Sequence, residues 1–92
     1  MRKIHIRVSG RVQGVGFRYA TQKKAAQLSL VGWVRNTADG SVEACAEGTK
    51  DQIEEFKKFC EIGPPSAAVE KAEVLAEEDI PSVTFCGFQI RK

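Results

Sequence analysis

Between residues 9 and 18 the chain reads Ser9-Gly10-Arg11-Val12-Gln13-Gly14-Val15-Gly16-Phe17-Arg18, three glycines and then an arginine at the start of a helical pattern. A glycine-rich turn from strand to helix can aim successive backbone N–H groups, with the helix N-terminus behind them, at one anion. Taken alone, such a loop is more readily a plain tight turn than an anion site. Arg18 adds weight to the anion site, because a cation in the first helical turn opposes the macrodipole and a bound phosphate or carboxylate would compensate it. A guanidinium holds either group with two parallel hydrogen bonds. The alternative is an exposed Arg18 with its stem along Phe17 or Trp33. The spacing is neither G-x-x-x-x-G-K-[ST], since Phe17 and Arg18 follow Gly16, nor G-x-G-x-x-G, so neither a P-loop with its Mg²⁺ nor a dinucleotide site is indicated. Arg11 reads as a solvated loop charge. Asn36, just before Thr37-Ala38-Asp39-Gly40, either caps a turn, the commoner use of Asn there, or holds a polar ligand.

These residues depend on the elements around them. Ile4, Ile6 and Val8 alternate with His5, Arg7 and Ser9, which predicts a strand over residues 3–10. Phe17, Thr21, Ala25 and Leu28 make one stripe of a first helix. Residues 31–36 and 41–48 form a hairpin around Asp39-Gly40, with Val42, Ala44 and Ala46 inward. Thr49 and Gln52 have capping-box spacing, and Ile53, Phe56, Phe59 and Cys60 follow at helical intervals until Gly63-Pro64-Pro65. Residues 67–76 read as an edge strand exposing Glu70, Lys71 and Glu73, residues 77–81 as a loop, and residues 83–91 as a final strand with Cys86, Phe88 and Ile90 on one face. Trp33, Phe56 and Phe59 are expected in the core and Cys60 and Cys86 buried, whereas Cys45 falls on the outer sheet face as an exposed, oxidisable thiol.

The order βαββαβ with a short extra C-terminal strand predicts an α+β, ferredoxin-like sandwich, two helices on one face of an antiparallel sheet. In that arrangement the first two strands run the same way on either side of the third. Residues 11–18 and Asn36 should therefore be neighbours.

Gly10-Arg11-Val12-Gln13-Gly14-Val15-Gly16-Phe17-Arg18, with Gly32-Trp33-Val34-Arg35-Asn36 and Asp39-Gly40-Ser41-Val42-Glu43, strongly resembles the acylphosphatase family, and the likeness runs over essentially the whole chain. Gly63-Pro64-Pro65-Ser66-Ala67 also looks like that family's entry to its fourth strand. The resemblance implies a small ferredoxin-like enzyme that hydrolyses the carboxyl–phosphate bond of acyl phosphates with neither metal nor cofactor. Carried onto this chain, it implies that Arg18 and the backbone amides of Val12, Gln13, Gly14, Val15, Gly16, Phe17 and Arg18 bind the phosphate. Asn36 would orient the attacking water, and the substrate's own phosphate would take the water's proton. Phosphoryl transfer suits that division, since fixed N–H donors and one guanidinium stabilise charge on the equatorial oxygens while a neutral amide aligns water. His5 should lie on a strand remote from the cradle.

At 92 residues the chain has room for a single domain spanning 1–92, and 42% hydrophobic with 28% charged residues is ordinary globular usage. A net charge of +2 is too mild for a dedicated nucleic-acid or anionic-membrane binder. An RNA-recognition domain would show aromatics on its central strands, yet Val42-Glu43-Ala44-Cys45-Ala46-Glu47 has none. Three cysteines without C-x-x-C spacing and a single histidine suit neither a disulfide framework nor zinc. The N-terminus has no apolar run resembling a signal or a membrane span, so a cytoplasmic monomer is expected, with a small acyl phosphate as substrate and inorganic phosphate as product. The rival reading is a non-catalytic module that binds phosphorylated metabolites, or such a domain separated from a larger maturation enzyme. Loss of Arg18 or Asn36 would favour it, and both are present.

Overall fold

In the computed structural model, which describes residues 1–91, the alternating N-terminal segment is β1 (Arg2–Arg11), with Ile4, Ile6 and Val8 buried. It is followed by α1 (Phe17–Gln27), β2 (Val31–Asn36), β3 (Val42–Gly48), α2 (Lys50–Ile62), β4 (Ala68–Asp79) and β5 (Phe88–Arg91). Val42, Ala44 and Ala46 face inward from β3 as their spacing requires. The two helices cover that face, α1 through Phe17, Thr21 and Ala25 and α2 through Ile53, Phe56 and Cys60. Burying each large side chain of this set stabilises the fold by roughly 1.5–3 kcal/mol. The capping box forms: the Thr49 amide donates to Gln52 Oε1 (2.8 Å) and the Gln52 amide to Thr49 Oγ1 (3.3 Å).

The sheet order is β4-β1-β3-β2-β5. β1 and β2 flank β3, both antiparallel to it, so their C-terminal ends meet at one end of the sheet. β4 is an edge strand, as its charges suggested, but it runs on to Asp79 because β1 begins at Arg2, and Arg2 pairs with both Glu77 and Asp79. The predicted loop at 77–81 therefore shortens to its last residues.

The final strand also differs from expectation. It begins at Phe88 and lies parallel to β2, so the sheet is mixed rather than wholly antiparallel. The cause is the distance to be crossed: β4 and β5 are opposite edges, and residues 80–87 are used in passing between them. Their path crosses the helix-free face of the sheet, where Glu47 of β3 accepts from the amides of Thr84 and Phe85 and from the Thr84 hydroxyl. Lys3 of β1 lies over the Phe85 ring, and the Gly32 amide donates to Gly87 O (2.9 Å) where the chain joins β2.

That face corrects three side-chain expectations. Trp33 lies on it rather than in the core, its ring flanked by the guanidinium groups of Arg35 and Arg91. Cys45 is on it but only 4% exposed. Its register partners His5 and Trp33 stand on either side, with ring centroids 5.6 Å apart, and close over it; burial pushes the thiol pKa up, so it is no exposed oxidisable group. Cys86, in the crossing segment, is exposed rather than buried, because no strand forms there to turn it inward. Cys60 is buried as expected, its thiol pushed up to about 12 by desolvation.

Candidate active site

The loop after β1 is built for close approach by a ligand. Gly14 and Gly16 adopt left-handed backbone conformations (φ 73° and 79°) with nothing within 4 Å of where a Cβ would stand, so the backbone's shape and not a neighbour demands glycine. Gly16 is the N-cap of α1, no side chain caps that helix, and its first turn has no acidic residue. The exposed partial positive charge of the helix end is thus left for a ligand. The Val12 amide donates to Gly10 O (3.1 Å), while the amides from Gln13 to Arg18 make no close, well-aligned bond to a backbone carbonyl among the described residues. The free donors of the predicted cradle therefore begin at Gln13.

Two distant segments hold this loop in shape. The Ser66 hydroxyl donates to Val15 O (2.7 Å), and because C=O and N–H of a trans peptide point opposite ways, the Gly16 amide is turned away from Ser66. The Gln13 side-chain amide donates to both Thr37 O and Ser41 O, each at 2.8 Å. The hairpin turn it grips is itself locked: Asp39 accepts from the Thr37 hydroxyl and from the Ser41 amide (3.0 Å). The Thr37 hydroxyl foremost, then the Ser41 amide, holds the Asp39 carboxyl below the usual carboxylate range.

Val12, Gly14, Gly16, Phe17, Arg18 and Asn36 line one cavity of about 150 Å³, with Tyr19 and Ile90 completing its wall. This is the meeting of residues 11–18 with Asn36 that the strand directions require. Gln13 and Val15 stand back from it and shape the loop. Arg18 is half-buried and forms no ion pair or hydrogen bond with another described side chain. Asn36 Oδ1 is buried and has no hydrogen-bond partner among the described residues. A buried acceptor without a donor costs roughly 1–3 kcal/mol, so its retention marks a position where an incoming O–H or N–H is to be received. His5 lies on the helix-free face, 3.3 Å from Glu43 Oε1, and takes no part in the cavity. The arrangement offers a guanidinium, a set of fixed N–H donors and an open amide acceptor around a space the size of a small anion and a water.

Sequence reasoning missed the side chains of Gln13 and Ser66 and the contributions of Tyr19 and Ile90. Long-range side-chain bonds leave no periodic trace, and Ile90 reaches the cavity only because β5 pairs in parallel beside β2.

The family model for acylphosphatase matches residues 4–90. The chain belongs to the acylphosphatase family. It is an enzyme of that family, a hydrolase, and its ferredoxin-like fold is that of the solved acylphosphatases. The acylphosphatase of Trichormus variabilis is 54% identical over 90 residues, covering 98% of this chain and 86% of the relative. The crystal structure of acylphosphatase from Bacillus subtilis superposes with a TM-score of 0.91 at 39% identity, each chain fully covered. The same acylphosphatase fold forms 12% of the crystallised T. kodakarensis HypF chain, which is 33% identical to 99% of this one with a TM-score of 0.80.

Proposed function

We propose that the chain hydrolyses the carboxyl–phosphate bond of small acyl phosphates by direct attack of one positioned water, using no metal or cofactor. The phosphate is held by the Arg18 guanidinium and by the amides of Gly14, Gly16, Phe17 and Arg18, in the loop and at the N-terminus of α1. Water donates one O–H to Asn36 Oδ1, which aims its lone pair at phosphorus. As the new P–O bond forms, the bond to the acyl oxygen breaks and the carboxylate leaves. The water's proton passes to a phosphate oxygen, so that carboxylate and inorganic phosphate are released. An acyl phosphate is a mixed anhydride with a good leaving group, so positioning and charge stabilisation suffice without a strong base.

The observation that carries this reading is the buried, unpartnered Asn36 Oδ1 in the same cavity as the unpaired Arg18. All the groups come from one chain, which supports action as a monomer. Three free thiols, one exposed, fit a reducing compartment and hence the cytoplasm; no helix of the described residues is long and apolar enough to cross a membrane.

The test is hydrolysis of benzoyl phosphate, followed by ultraviolet absorbance in the presence of chelator, for the wild type and Asn36→Ala. Wild-type turnover in chelator with a loss of roughly a hundredfold in the variant is expected, the scale of a misplaced reactant. Wild-type turnover that vanishes in chelator and returns with Mg²⁺ would refute direct metal-free attack, and equal rates in the two proteins would remove Asn36 from the site.

A further inference from the structure

The cavity around Arg18 and Asn36 shares the Tyr19 side chain with a second depression on the surface. Tyr19, 70% exposed, and Ile90, 37% exposed, form its outer edge. Tyr19 also walls a second, wider groove of about 340 Å³ with Gln22, Lys23, Ala26 and Phe88. Residues 19, 22, 23 and 26 are one stripe of α1, so this groove follows the helix for roughly 10 Å, with β5 as its other bank. The banks are tied together, since Gln22 Nε2 donates to Phe88 O at 3.0 Å. Its surface pairs aromatic rings with a single cation. Lys23 is exposed and, like Lys24, Lys50 and Lys71, pairs with no carboxylate among the described residues; it is set apart by its place in the groove.

A phosphate seated on the loop must send its acyl group out of the cavity. Asn36 and the attacking water hold one side, and the exposed side chains at the mouth are Tyr19 and Ile90. We propose that the groove along α1 is the acyl-group subsite, and that it selects acyl phosphates with a flat apolar body beside the carbonyl and a second anionic group at the far end, which meets Lys23. This rests on the reading of the phosphate site given above. The apolar body removes Tyr19, Phe88 and Ile90 surface from water. The terminal anion supplies Lys23 with the partner it lacks. An acetyl group is too short to reach either.

The experiment compares acetyl phosphate, benzoyl phosphate and 4-carboxybenzoyl phosphate as substrates of the wild type, Tyr19→Ala and Lys23→Gln, read as ratios of kcat/KM within each protein so that any general loss cancels. In the wild type benzoyl phosphate is favoured over acetyl phosphate, and the added carboxylate lowers KM by a further twofold to fivefold, about the worth of one solvent-exposed ion pair. Tyr19→Ala erases the benzoyl-to-acetyl preference, and Lys23→Gln erases only the carboxylate gain. A wild type that treats benzoyl and 4-carboxybenzoyl phosphate alike, or a Lys23→Gln protein that keeps the carboxylate gain, overturns the proposal. The two levels separate on turnover as such. If the folded wild type hydrolyses none of the three substrates, the phosphate site itself has been misread. If the wild type hydrolyses them and Asn36→Ala does not, while both groove variants keep wild-type ratios, the groove alone is wrong.

Discussion

Gln13 donates from one side-chain nitrogen to two carbonyls, those of Thr37 and Ser41, each 2.8 Å away. The bond spans the gap between the glycine loop and the hairpin turn, and so sets the distance between the amides that face the phosphate and the strand end that carries Asn36. Gln13→Ala removes both links, which at the usual 0.5–1.5 kcal/mol each destabilises the protein by about 1–3 kcal/mol. The kcat/KM for benzoyl phosphate should fall about tenfold, because loop and water then move independently. Gln13→Glu should be worse than alanine in urea melts, since a carboxylate would face two carbonyl oxygens. A Gln13→Ala protein with wild-type kcat/KM would show that the loop holds its shape without the turn.

Arg18 and Asn36 should separate in their kinetic effects. Arg18→Gln removes a charged hydrogen-bond donor to the phosphate, so inhibition by inorganic phosphate should weaken about 10- to 100-fold, with KM raised and kcat lowered together. Asn36→Ala should lower kcat with little change in KM or in phosphate inhibition. Stability gives a second reading: the variant removes a buried acceptor that has no partner, so its Tm should equal or exceed that of the wild type. A marked fall in Tm would mean that Asn36 serves the fold, not the water.

Why Arg18 and Asn36 could be brought together from sequence is a matter of period and direction. The alternation of Ile4, Ile6 and Val8, the stripe of Phe17, Thr21 and Ala25, and the Asp39-Gly40 turn each report a local geometry. Two parallel-running strands around a third then leave their C-terminal ends no choice of neighbour. What stayed hidden depends on pairings with no local signal. The bond from Ser66 to Val15 joins residues 51 apart. Alternation with Ala44 and Ala46 places Cys45 on the outer face, but its burial comes from His5 and Trp33 on two other strands. The apolar character of residues 83–90 resembled one long strand, because Phe85 and Phe88 cover the sheet from opposite sides: one beside Lys3 on the helix-free face, the other against the core.

Gly32, like Gly10, is a position where neighbours, and not only backbone angles, exclude a side chain. Its φ is 146°, and a Cβ there would stand 1.9 Å from the carbonyl oxygen of Cys45. Gly32→Ala must therefore push β2 off β3, and the cost should exceed about 3 kcal/mol. Gly14→Ala is the control, since it meets nothing within 4 Å and costs only the left-handed conformation, about 1–2 kcal/mol. Urea unfolding of both would show the order; a Gly32→Ala midpoint at or above that of Gly14→Ala would mean the strands can part cheaply.

Glu47 gives the fold a dependence on acid. Its buried carboxylate accepts from the Thr84 amide (2.6 Å), the Thr84 hydroxyl (2.7 Å) and the Phe85 amide (3.1 Å), with Lys3 Nζ 3.8 Å away. Desolvation pushes its pKa up, but the Thr84 and Phe85 donors and the Lys3 charge together outweigh this and hold it below the ordinary value of 4.5. A group whose pKa is lower when folded than when unfolded stabilises fully above the unfolded value and loses that contribution as pH falls through the folded one. Glu47→Gln should thus be less stable than the wild type by about 1.5–3 kcal/mol at neutral pH, the worth of hydrogen bonds to a charged group. The gap should narrow steadily below pH 4.5, as the wild-type carboxyl becomes neutral too. Because the segment it anchors leads directly into β5, cleavage by a protease at residues 80–87 should become faster in the variant at neutral pH. A stability gap that stays the same at pH 7 and pH 3 would show that the charge of Glu47 contributes nothing to holding the crossing segment in place.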